Sequence, residues 1–89
     1  MKITEIKMRK TFTDGALRGI VSVTIDDCLA IHDIKVVQGT DRLFVGMPSR
    51  KTVDGGFADM VHPIFAGARE IIEVPVLNAY AAYVAQMTE

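Results

Sequence analysis

The period of the hydrophobic pattern changes once along this chain, after His62, and that change dictates two kinds of secondary structure in a fixed order. Before it, apolar and polar residues alternate. Leu17, Gly19, Val21, Val23 and Ile25 alternate with Arg18, Ile20, Ser22 and Thr24, the period of a strand with one buried face. After it, Ile64, Phe65, Ala68, Ile71 and Ile72 fall on one helical face, and Val76, Leu77, Tyr80, Ala81 and Val84 do so again.

Turn residues divide the first part into strands. Residues 2–10 place Thr4, Ile6 and Met8 on one face and Glu5, Lys7 and Arg9 on the other. Thr13-Asp14-Gly15, Asp26-Asp27 and Gln38-Gly39-Thr40-Asp41 are turn signals. They separate this strand from 17–25, from the Ile- and Val-rich 29–37, and from 42–47, where Leu43, Val45 and Met47 share a side before Pro48 ends the strand. Consecutive strands joined by short turns make an antiparallel meander. The expected fold class is α+β: a meander of four to five strands covered by a C-terminal helical segment. One domain, 1–89, divides into the meander at 1–48, a basic loop with a short strand at 49–63 and the helical segment at 64–89. Pro75 lacks the N–H that an interior helical position donates, so a break is predicted near Val74, with Pro75 opening a separate final helix.

A chain of 89 residues builds a modest core. A four-stranded sheet also leaves two edges unpaired, and Ile20 together with the aliphatic residues of 29–37 suggests more apolar surface than one helical layer covers, so self-association is expected, and dimerisation through the sheet would meet both needs. The apolar runs are too short to span a bilayer. The first residues lack a signal-peptide h-region, and the lone Cys28 has no internal disulfide partner. The expected location is the cytoplasm, with no membrane partner.

The net charge of −1 excludes a protein that coats nucleic acid indiscriminately, but the charge is unevenly distributed. Through Lys51 there are nine basic and six acidic residues; from Thr52 onward there are one and five. The cations therefore belong to the first half. Ser49, Arg50, Lys51 and Thr52 set two hydroxyls beside two cations, and Asp54-Gly55-Gly56 supplies a turn, so the loop can hold an anion with side-chain and backbone donors. The competing reading is a solvated loop in which Asp54 neutralises Arg50 or Lys51.

Catalysis finds little support. Cys28, His32 and His62 are the only thiol and imidazoles. On one predicted strand, Cys28 and His32 stand about 13 Å apart, too far to share a proton or a metal. No Gly-rich phosphate loop or paired metal ligands occur. The chain is thus expected not to be an enzyme and to use no cofactor, metal or small-molecule substrate. Asp33 is placed to fix His32, and His62 to cap or pack where the helix begins. Among the aromatics, Phe44, Phe65 and Tyr80 are assigned to the core, leaving Phe57 exposed.

The stretch 42–64 also carries a resemblance. Met47-Pro48-Ser49-Arg50-Lys51-Thr52, then Asp54-Gly55, then His62-Pro63-Ile64, resembles the central signature of the SpoVG family, the stage V sporulation protein G type of septation and sporulation regulator. Thr13-Asp14-Gly15, His32-Asp33-Ile34, Leu43-Phe44-Val45 and Val76-Leu77-Asn78 with Tyr80 extend the likeness over nearly the whole chain. The resemblance implies a cytoplasmic homodimer that binds DNA, and RNA as a second ligand, and so regulates genes. It places Ser49, Arg50, Lys51, Thr52 and Arg69 at the nucleic acid, with Lys7, Arg9 and Lys10 as weaker candidates because exposed strand charges are usually a solvated face. It also implies one helix running past position 75. Ala58 and Ile71 stand where family members carry basic residues, and Val53 and Gly56 where they carry Pro and an acid. The alternative is a regulatory module that binds a protein through its acidic second half, including Glu70 and Glu73, without direct nucleic-acid contact.

Overall fold

The computed structural model describes residues 1–87. Its elements in chain order are β1 (Ile3–Thr11), β2 (Leu17–Ile25), β3 (Leu29–Gln38), β4 (Leu43–Gly46), β5 (Ser49–Lys51), β6 (Phe57–Asp59) and α1 (Ala66–Met87). The first four form one antiparallel sheet in the order β1-β2-β3-β4, and β5 and β6 form a separate two-stranded ribbon. This is the expected α+β meander.

The turns fix its register. Asp26 and Asp27 both take positive φ, 52° and 54°, and the Cys28 N–H donates to the Ile25 carbonyl across 3.0 Å. Such a turn has the twist that paired strands require, and short acidic side chains tolerate its backbone. Cys28 consequently lies in the turn and not in β3 with His32. At the next turn, the Gly39 N–H bonds the Arg42 carbonyl at 2.8 Å.

Two departures in the sheet follow from bulges. The pairing of β1 with β2 shifts between Ile3 and Glu5, so Ile3, Ile6 and Met8 pack against the core, while Thr4 is exposed and donates to the Thr24 carbonyl. A second shift, between Val21 and Val23, sets His32 and Asp33 opposite Ser22, with Asp33 at φ 62°. The Ser22 hydroxyl, 2.9 Å from His32 Nδ1, fixes the imidazole in place of Asp33.

One face of the sheet and α1 enclose the core of Val21, Val23, Ile34, Val36, Val45, Met47, Ile72 and Val76, flanked by Leu77 and Tyr80. α1 runs unbroken through Pro75, contrary to the break predicted at Val74. Ile72 and Val76 bracket the proline and both bury on the sheet, so docking holds the two halves in line. The carbonyl that loses its donor belongs to exposed Ile71, where solvent can satisfy it. Phe65 precedes the helix and is 64% exposed, and Phe44 is half-buried on the sheet face away from the core beside Gly39. Of the three aromatics assigned to the core, only Tyr80 packs there.

Among the described residues, no helix is long and apolar enough to cross a membrane, and no group of three or more His, Cys, Asp or Glu side chains could hold a metal ion.

Candidate nucleic-acid interface

The basic stretch after Pro48 is a hairpin and not an open loop. Ser49 pairs with Asp59, Arg50 with Ala58 and Lys51 with Phe57, and the Met60 N–H closes the base on the Pro48 carbonyl at 2.7 Å. Strand alternation sends Arg50 and Lys51 to opposite faces of the ribbon, where both are exposed. Phe57, on the Lys51 side, is 75% exposed, as expected.

The tip explains why these cations remain free. The Thr52 N–H donates to the Gly56 carbonyl at 2.9 Å and the Gly55 N–H to the Thr52 carbonyl at 3.1 Å, with Gly55 at φ 90°. The Thr52 hydroxyl donates to Asp54 Oδ1, which also accepts the Gly56 N–H at 3.4 Å. Asp54 is thus committed to its own turn, and neither Arg50 nor Lys51 forms an ion pair among the described residues. Thr52 serves the tip, and half-buried Ser49 its base.

The Thr52 hydroxyl first, and then the Gly56 N–H, hold the Asp54 carboxyl below its ordinary pKa. A depressed value means that the charged carboxylate supports the turn above the ordinary aspartate pKa of about 3.9 and loses that role as pH falls through the lower value. An NMR titration should give Asp54 a midpoint below 3.9, with the Gly55 and Gly56 amides shifting in step. A midpoint at or above that value would contradict the hydrogen-bonded tip.

Arg69 sits apart from these cations in function. Its Nη2 donates to the Val45 carbonyl at 2.6 Å and lies 3.6 Å from Glu73 Oε2, one helical turn on. The same Glu73 oxygen accepts the Val45 N–H at 3.1 Å, and Oε1 lies 3.6 Å from Arg42. β4 is an edge strand, and this pair meets both backbone groups of Val45 as a neighbouring strand would. Glu73 is only 8% exposed, which removes it from the acidic contact surface expected of the second half. The i, i+4 spacing of Arg69 and Glu73 was the available signal for their pairing, but nothing local announced Val45 as the shared partner.

Beside the helix start lies a groove of about 550 Å³ lined by Leu29, Ile31, Val61, Ile64, Phe65 and Ile71 among others, with Ile64 85% exposed.

A four-stranded antiparallel meander packed against one helix, with a separate two-stranded ribbon between them in the chain, defines a small α+β domain. The chain belongs to the SpoVG family, whose model matches residues 1–82. Three relatives bear the name "Putative septation protein SpoVG". That of Heliobacterium modesticaldum is 52% identical over 80 residues, covering 90% of each chain. That of Clostridium beijerinckii is 49% identical over 86 residues, 97% of this chain and 94% of its own. That of Desulforudis audaxviator is 50% identical over 80 residues, 90% and 91% of the two chains.

Proposed function

We propose that this chain is a cytoplasmic nucleic-acid-binding regulator of the septation and sporulation type, acting on DNA and also RNA as a homodimer through the β5–β6 hairpin. The observation that carries it is the pair of exposed cations Arg50 and Lys51 on a two-stranded ribbon where the turn acid, Asp54, is taken up by Thr52 and Gly56, and the other acid, Asp59, stands opposite Ser49 with no ion pair to either cation among the described residues. A two-stranded ribbon fits the major groove of a duplex, where phosphate contacts position it and base edges supply preference. Arg69, held by Val45 and Glu73, adds no free charge to this site. A second copy would double the cations, and the apolar groove around Ile64 and Phe65 offers it a surface. Ala58, paired with Arg50, and exposed Ile71 are uncharged, so neither position adds a phosphate contact to the site.

The test is a salt series on a labelled duplex. Arg50→Ala/Lys51→Ala is expected to weaken binding at least about tenfold and to lower the log–log salt slope by about 1.8 per site, 0.9 for each lost contact. Sedimentation at the same concentrations should give the dimer mass. If wild type does not bind at low salt, the second reading gains: a module that takes a protein partner in the groove exposing Ile64 and Phe65.

A further inference from the structure

We propose that the sheet face turned away from α1 binds single-stranded nucleic acid through Lys7, Arg9, Lys10 and Lys35, a site separate from the hairpin. This deepens the nucleic-acid reading and rests on it. Register places the residues. Lys7 stands opposite Ser22, Lys10 opposite Ile20, and Lys35 opposite Ile20 on one side and Gly46 on the other. The cations therefore flank the outward residues of β2 from both neighbouring strands, with rows about 10 Å apart across two strand spacings. Glu5 and Asp33 are the acids nearby, so four cations face two acids in a chain whose net charge is −1.

Exposed strand charges are ordinarily a solvated face, but two of these, Arg9 and Lys10, are held. Arg9 Nε donates to Ser22 Oγ at 3.1 Å, and that hydroxyl, on a residue only 7% exposed, also meets His32 Nδ1. With the Arg9 N–H donated to it, the hydroxyl can give its own proton to the imidazole, which fixes guanidinium and ring side by side over the central strand. Lys10 Nζ lies 5.3 Å from the centre of the Phe12 ring. Gly46, with no side chain, leaves open the space beside Lys35. Side chains already ordered lose less entropy when a phosphate arrives.

The shape of the face selects the ligand. Ile20 is half-buried between Lys10 and Lys35, and Val37 with its β4 partner Phe44 forms a half-buried apolar pair next to Lys35. Unpaired bases can lie on such residues while their phosphates follow Lys and Arg, an arrangement open to a single strand and closed to a stacked duplex.

The experiment compares an oligouridylate strand with a mixed-sequence duplex across a salt series, using the full chain. Lys7→Ala/Lys35→Ala is expected to lower single-strand affinity about tenfold and the salt slope by about 1.4, at 0.7 per contact, leaving duplex binding unchanged. Arg50→Ala/Lys51→Ala should do the reverse. Lys7→Glu, at an exposed position, gives the same single-strand loss if the fold of the double variant is disturbed. Wild-type single-strand affinity and slope in both sheet variants would overturn the proposal while leaving the hairpin site standing. Absence of wild-type binding to either ligand would overturn both.

Discussion

Glu73→Ala is expected to destabilise the protein by about 3 kcal/mol, the combined effect of a lost charge-assisted hydrogen bond and an orphaned backbone donor. The carboxylate is nearly buried, and it accepts from Val45 N–H while facing Arg69 and Arg42 at 3.6 Å. Its removal leaves a dry N–H on the β4 edge and an arginine with one partner fewer. The Arg42 pair adds little, because that side chain is 67% exposed. A domain of this length has about 4–13 kcal/mol in all, so the loss is a large share of the total. Urea denaturation measures it. Glu73→Gln, which keeps an acceptor for Val45, should recover part of the difference; a loss below about 1 kcal/mol for the alanine variant would mean that the contact is incidental.

Pro75→Ala is expected to stabilise the protein by about 1–3 kcal/mol. Proline in a helix interior costs about 3 kcal/mol through its missing N–H and its ring against the preceding turn. α1 continues on both sides of it, so alanine would restore the bond to Ile71 without any rearrangement. Part of the gain is offset because proline also restricts the unfolded chain. The position is half-buried, so the smaller residue also gives up some packing. A thermal or urea midpoint unchanged or lowered in Pro75→Ala would show that the ring contributes contacts worth as much as the helix bond.

The sheet was legible because its rules are local. Alternation over Leu17–Ile25 and the Asp26-Asp27 and Asp14-Gly15 turns act within a few residues, and the four strands lie where those signals put them. What was not legible depends on partners far along the chain. Propensity alone breaks the helix at Pro75; the burial of Ile72 and Val76 on the sheet keeps it whole. Phe65 looks like a core residue by spacing, but the helix begins one residue too late to include it. Phe44 alternates with core residues and so faces outward. Arg69 looked like a free cation because Val45, which it serves, is 24 residues away. At the hairpin, the turn residues were readable but the strand pairing was not, since three-residue strands carry too short a pattern.

The pairing of Arg69 and Glu73 with Val45 gives the helix a duty in time as well as in space. During synthesis the meander is finished first, and Glu73 is added 28 residues after Val45, which at about 5–20 residues per second leaves the β4 edge bare for roughly 1–6 seconds. In that interval β4 is an open template for another nascent chain. Once docked, the helix meets both backbone groups of Val45 with two side chains, and the edge is closed there. A helix that docks weakly would therefore add insoluble aggregate during synthesis to the loss of folded stability.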